Sequence, residues 1–263
     1  MPSPAMLDLL RLIEANTARA ISIDRQTATI GPFLASAHPT NDLVWLSTAL
    51  PLSARRDESF DWPKVVPELR AWFKRHDRRL RFEILEPLWP ELAPHLIEQG
   101  VELQGRMPLM LCAPAGLRAA PSPPGVTIEP VTADSPFEQI RDLVQTANRS
   151  FNDGPETTDR HVHEHRDALA RGQYRCVLAR VDGQPAGAGS MTIQNDELVG
   201  IGTLPAFRRR GIAAAVSHYL VADHFGRGHA LAWLSAGDHV ARAVYEKVGF
   251  TVVGDQVNLM DAK

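Results

Sequence analysis

The residues best equipped for chemistry are Arg208, Arg209, Arg210 and Gly211, within Leu204-Pro205-Ala206-Phe207-Arg208-Arg209-Arg210-Gly211-Ile212-Ala213. An apolar run from Leu198 to Leu204 precedes them and reads as a strand, and Ile212, Val216, Tyr219, Leu220 and Val221 follow at helical spacing. The stretch is therefore a strand-to-helix junction. Pro205 stops the strand, Gly211 allows backbone conformations closed to other residues, and the first N–H groups of a helix have no partner inside it. Such groups attract an anion, and three arginines add charge, so phosphate or pyrophosphate is the natural ligand. An ordinary turn with solvated arginines is the alternative that these residues alone leave open. His161-Val162-His163-Glu164-His165 raises a metal question, since His161 and His165 share a helix face. No His-Glu-x-x-His frame or further ligand cluster accompanies them, and no metal is expected.

Composition narrows the setting. Of 263 residues, 44% are hydrophobic and 22% charged, enough for packed cores in one large or two ordinary domains. A net charge of −3 gives no global field to recruit nucleic acid or an anionic membrane, so neither is an expected partner. Cys112 and Cys176 are the only cysteines and lack a pairing pattern, which fits a reducing cytoplasm. No apolar run approaches membrane-spanning length.

These candidates need elements to position them. Residues 7–16 have the pattern of a helix ending near Asn16, and residues 20–30 and 42–50 suit two strands of a hairpin around the turn residues 38–42. A helix over 61–76 with Asp61 as cap, a strand over 80–85, a helix over 87–99 closed by Gly100 and a strand over 101–111 complete a first unit. Residues 113–125 carry Pro114, Pro121, Pro123 and Pro124 and read as an extended linker. The expected domains are 1–112 and 126–263. In the second, a strand at 126–130 leads to helices at 137–150 and from Thr158 or Asp159 to about 170. Strands at 174–180 and 186–193 join through Asp182-Gly183, and a third runs 197–204. After the basic junction and its helix come a strand at 230–234, a helix at 238–248 ending at Gly249, and a last strand at 250–260.

Pro205-x-x-Arg208-x-x-Gly211-x-Ala213, followed by Asp238-x-x-Ala241-x-x-x-Tyr245-Glu246-Lys247-Val248-Gly249-Phe250, resembles the GCN5-related N-acetyltransferase (GNAT) superfamily over roughly residues 126–260. The element order above is also that family's order. The resemblance implies an α/β (mixed α+β) acyl-CoA N-acyltransferase fold, a central mixed sheet flanked by helices. It also implies an enzyme moving acetyl from acetyl-CoA to a primary amine. The acceptor would be a small-molecule amine or a peptide N-terminus, and the protein a monomer or homodimer.

For individual residues, the resemblance implies that backbone amides of Arg208, Arg209, Arg210, Gly211, Ile212 and Ala213 meet the pyrophosphate, while Ile201, Gly202 and Thr203 offer backbone groups to the pantetheine beside two splayed parallel strands. The arginine side chains would hold the ribose 3′-phosphate or stay in solvent. Tyr245 matches the family's general acid, and Glu197 stands where some members carry a basic glutamate, with a water chain as the competing route. Asp238 replaces the family's asparagine and either meets the pantetheine or caps its helix. Phe151 and Asn152 are the expected acceptor-side residues. The alternative to an enzyme is a non-catalytic acyl-CoA-binding regulatory module, favoured if Tyr245 points into the core. Residues 62–111 repeat the order helix, strand, helix, glycine, strand, with Leu96 in place of the tyrosine and no counterpart of Arg208-x-x-Gly211-x-Ala213. Two such folds in tandem, the first degenerate, are expected.

Overall fold

The computed structural model describes residues 3–40, 43–151 and 156–262. The chain forms two compact units, one of Met1–Leu109 with Val252–Lys263, the other of Met110–Thr251.

In the first unit, α1 (Pro4–Ile21) is followed by β1 (Gln26–Ile30), β2 (Phe33–Ala37) and β3 (Thr48–Pro51). Next come α2 (Trp62–Arg75), β4 (Arg81–Leu85), α3 (Leu92–Glu98) and β5 (Glu102–Cys112), which runs through the division between the units. The first helix outlasts Asn16 by more than a turn, because Ile21 is still buried and the helix closes only at Ser22. Three strands stand where two were expected. The hairpin turns at Gly31-Pro32, with Ile30 opposite Phe33, and β2 then pairs antiparallel with β3. Asn41 and Asp42 of the expected turn lie outside the described residues. The core gathers Phe33, Leu69, Phe73, Phe82 and Ile84, all with essentially no exposure.

The second unit adds β6 (Val126–Val131), α4 (Phe137–Ser150), α5 (Asp159–Ala170), β7 (Tyr174–Val181), β8 (Gln184–Thr192), β9 (Leu198–Thr203), α6 (Ile212–Gly226), β10 (Ala232–Ser235) and α7 (His239–Val248). Strands β6-β7-β8-β9 make an antiparallel sheet in sequence order. Its two faces follow from the period-two alternation of a strand. Along β7, Cys176 and Leu178 face Ile140, Leu143 and Val162 of α4 and α5, while Val177, Ala179 and Val181 face Val216, Leu220 and Val248 of α6 and α7. Each buried aliphatic side chain contributes roughly 1.5–3 kcal/mol. Thr158 caps α5 as expected, accepting from the His161 N–H.

The strand after α7 departs from expectation. β11 (Thr251–Met260) was read as closing the second domain, but it pairs antiparallel with β4, Val257 opposite Ile84, and lies between β4 and β5 in the first unit's sheet. The boundary therefore does not follow the proline-rich linker alone, because the last strand returns to the N-terminal unit. Strand pattern reports burial and says nothing of which sheet is joined.

Candidate functional site

The site grows from the end of β9. This strand pairs with β8 through Thr203↔Gly187, Gly202↔Ala188, Val199↔Ser190 and Leu198↔Met191, with a bulge between Ala188 and Ser190. Bulges re-aim backbone groups, and this one faces the middle of the expected pantetheine stretch. On the other side, β9 meets β10 only once, at the parallel bridge Glu197↔Trp233. Beyond it no pairing joins the two strands among the described residues, so the backbone groups of Ile201, which point away from β8, lie on an open edge. Gly202 has to be glycine: a Cβ there would lie 2.4 Å from Cβ of Ser150 at the end of α4.

Beyond Thr203 the chain turns through residues 205–207 into the basic loop. Arg209 and Gly211 both hold left-handed backbone, φ +63° and +82°, and Gly211 caps α6 without a side chain. Among the described residues, the N–H groups of residues 209–213 meet no acceptor. Consecutive unpaired amides at a helix start form an anion cradle, so the backbone fits a pyrophosphate. The arginine side chains do three different things. Arg208 is exposed, and it donates to the Thr203 carbonyl at 3.2 Å and the Ser150 carbonyl at 3.1 Å, which ties α4 to the end of β9. Arg210 lies over the Phe207 ring at 5.4 Å, and Arg209 is exposed.

On α7, Asp238 caps the helix, its Oδ1 accepting from the Ala241 N–H at 2.7 Å. Tyr245 is half-buried, its ring edge-on to Phe250 at 5.9 Å. Burial, with a smaller push from the Asp238 charge, raises its phenol to about 12. Its hydroxyl bonds to no other described residue and keeps its proton throughout the physiological range.

Residues 137–250 match the model of the Acetyltransferase (GNAT) family. Over these residues the chain resembles a GNAT acetyltransferase domain. Among solved structures, a GCN5-related N-acetyltransferase from Kribbella flavida is similar over 96% of this chain and 95% of its own, at 26% identity and a TM-score of 0.76. A GCN5-related N-acetyltransferase from Sphaerobacter thermophilus covers 88% of this chain and 76% of its own, at 15% identity and a TM-score of 0.65. A tandem GNAT protein from the clavulanic acid biosynthesis pathway covers 99% of this chain and 97% of its own, at 13% identity and a TM-score of 0.63. The last two likenesses are of fold alone. No curated protein sequence matches significantly. Among the described residues, no helix is long and apolar enough to cross a membrane.

The rest of the GNAT-like domain shows what surrounds these groups. Phe151 is 60% exposed, and its ring edge stands 3.3 Å from where a Cβ on Gly202 would be. Asn152 lies outside the described residues. Glu197 is half-buried, and Oε2 accepts from Asn195 Nδ2 at 3.3 Å. The support of Glu197 was not legible as function in the sequence, where Asn195 and Asp196 read only as a turn. Trp233 donates its indole N–H to the Asn195 carbonyl at 2.6 Å and its backbone N–H to the Asp196 carbonyl at 3.0 Å. Asp196 Oδ1 also lies 2.9 Å from His229 Nδ1 and 3.1 Å from His224 Nε2. Burial opposes the Asp196 charge, but hydrogen bonding from the two histidines outweighs it and holds the carboxyl below its usual range.

Asp196, His224 and His229 bring their ligand atoms within 4.8 Å of one another, a grouping that could gather a metal. The buried His224 is already committed, however. Arg175 Nη2 approaches its Nδ1 at 2.5 Å, and a guanidinium only donates. The imidazole proton therefore sits on Nε2, facing the Leu231 carbonyl at 3.1 Å, and no lone pair is left there. The histidines of α5 serve separate partners: His161 completes the capping box with Thr158, His163 packs against Phe137, and His165 Nε2 lies 3.6 Å from Cys176 Sγ. Cys112 and Cys176 are free and buried, and burial lifts both thiols to about 11.

Proposed function

We propose that the GNAT domain transfers acetyl from acetyl-CoA to a primary amine, on a small molecule or a peptide N-terminus. The observation that carries this reading is the run of unpaired amides at residues 209–213, continuous with the free edge of β9. Those amides, with the positive end of α6, would hold the pyrophosphate, and the edge groups of Ile201 the pantetheine, which the small Gly202 leaves room to approach. Acetyl-CoA, when bound, supplies a thioester whose sulfur leaves as a thiolate. Tyr245 keeps a proton to give at that sulfur, since its phenol is raised to about 12. Glu197, held by Asn195, or a water beside it takes the proton of the attacking amine. Phe151 and Asn152 belong to the acceptor side. The remaining role of Asp238 is to fix the start of α7, the helix that presents Tyr245.

The N-terminal unit is, in this reading, a second copy of the same fold without the anion loop. Its order α2, β4, α3, β5 repeats α6, β10, α7, β11, and β3 runs parallel to β4. Two free buried thiols suit a reducing cytoplasm.

A screen of amine classes for CoA release, with wild type and Tyr245→Phe, tests the activity. Turnover with some amine, lost in Tyr245→Phe while CoA binding persists, supports the reading. Acetyl-CoA binding without release of CoA to any amine would instead make the domain a regulatory acyl-CoA-binding module.

A further inference from the structure

The N-terminal unit holds a cavity of about 480 Å³, lined by Arg56, Trp62, Trp89, Leu92, His95 and Glu98 among others. It lies against the start of α2 and along α3, the elements that take the places of α6 and α7 in the repeated order. β3 and β4 are parallel and share one registered pair, Ala49↔Phe82, much as β9 and β10 share one bridge. The topology of a cofactor cleft is present, but its chemistry is not. No glycine stands between Pro51 and Trp62, and Asp57, Glu58 and Asp61 crowd the helix start. Arg55 is taken up by Glu58 at 2.6 Å and by the Gly31 carbonyl at 2.6 Å. A diphosphate would meet carboxylates here.

A different ligand fits what is offered. Trp89 is only 6% exposed, and its indole N–H donates at 2.9 Å to Oε2 of Glu14, itself 3% exposed, while the Ser53 N–H donates to Oε1. The ring is thereby fixed. Its face already accepts a cation, since the Arg56 guanidinium lies 5.8 Å from the ring centroid. Trp62 also lines the cavity, its ring edge-on to that of His95 at 4.8 Å. Glu91 and Glu98 line the cavity and carry no ion pair among the described residues. His95 Nε2 is buried without a hydrogen-bond partner. Two tryptophans and two carboxylates without an ion pair line one space. Sites of this size, mostly apolar with a few convergent polar groups, suit small molecules.

We propose that this cavity binds a hydrophobic ammonium ion, an amine whose aromatic or alkyl body lies against Trp62 and Trp89 and whose charge meets Glu91 and Glu98. This binding site is independent of the acetyl-transfer reading of the other unit.

The test uses the full chain labelled with 5-fluorotryptophan. Its five tryptophans give separate fluorine resonances, assigned through Trp→Phe variants. Titration with phenethylamine is expected to shift the Trp62 and Trp89 signals saturably. Phenylacetate, the same body with the opposite charge, should leave them in place. The exposed pair Glu91→Gln and Glu98→Gln, with circular dichroism unchanged, should weaken binding by about tenfold. A response confined to Trp233, or none, overturns the proposal. So does an equal response to phenylacetate, an undiminished affinity in the double variant, or saturable displacement of the Trp62 and Trp89 signals by coenzyme A, which would make the cavity a working cofactor cleft.

Discussion

Among the described residues, Glu197 and Trp233 form the one bridge that joins β9 to β10. Below it the indole of Trp233 is bonded to the Asn195 carbonyl, and above it the strands go unpaired. The opening of the proposed pantetheine groove and the placement of the proposed base thus share one hinge point. Trp233→Phe keeps most of the packing but strands a buried carbonyl, at a cost of about 1–3 kcal/mol. We expect that loss in urea unfolding, together with a fall in turnover larger than the fall in CoA affinity.

Gly211 tests the anion loop. The nearest atom to a Cβ built there is Pro123 Cγ at 3.4 Å, so space is adequate and the obstacle is the left-handed backbone. Gly211→Ala should cost about 1–2 kcal/mol of strain and shift the helix start. Calorimetric titration should show CoA affinity reduced by about tenfold or more. Unchanged affinity would remove the loop as the pyrophosphate site.

Arg209 separates charge from conformation. Its φ of +63° is unfavourable for a residue with a side chain. Arg209→Gly should therefore raise the thermal midpoint, by the equivalent of about 1 kcal/mol, while weakening CoA binding modestly through the lost charge. Arg208→Ala should behave in the opposite manner. It releases the Ser150 and Thr203 carbonyls, and we expect a raised KM for the amine with CoA affinity nearly intact.

Tyr245→Phe removes the proposed acid with little change of shape. A loss of about 10²–10⁴-fold in kcat, with CoA affinity unaltered, is the expected result. Because the wild-type phenol is raised to about 12, the acid form persists well above neutrality, and Tyr245 should add no falling limb to the rate profile between pH 7 and 10. A limb in that range that disappears in Tyr245→Phe would contradict the assignment.

Glu14 makes stability depend on pH. Burial raises its carboxyl above 4.5, against hydrogen bonds from Ser53 and Trp89 that pull the other way. Between the unfolded value and the raised folded one, the folded state binds more protons, so stability falls as pH rises through that window. Glu14→Gln abolishes this titration. Urea midpoints of the variant should be flatter from pH 4.5 upward than those of wild type.

The sequence alone determined the second unit's elements nearly to the residue. α4, α5 and the β7–β8 hairpin follow local signals: apolar spacing, a Thr158 cap and an Asp182-Gly183 turn. It also determined the loop proposed to hold the pyrophosphate, because unpaired amides at a glycine-capped helix start are a local property. Tertiary structure decided what depends on distant partners. β11 has the pattern of any half-buried strand, and only its pairing with β4 places it in the first unit. That Arg208 donates to the Ser150 carbonyl, 58 residues away in sequence, is likewise a product of the fold. Asn195 and Asp196 read as a turn until Trp233, His224 and His229 converge on them. The N-terminal cavity was invisible for the same reason: Glu14, Trp62 and Trp89 come from separate elements, and no local pattern records that their side chains enclose or anchor one space.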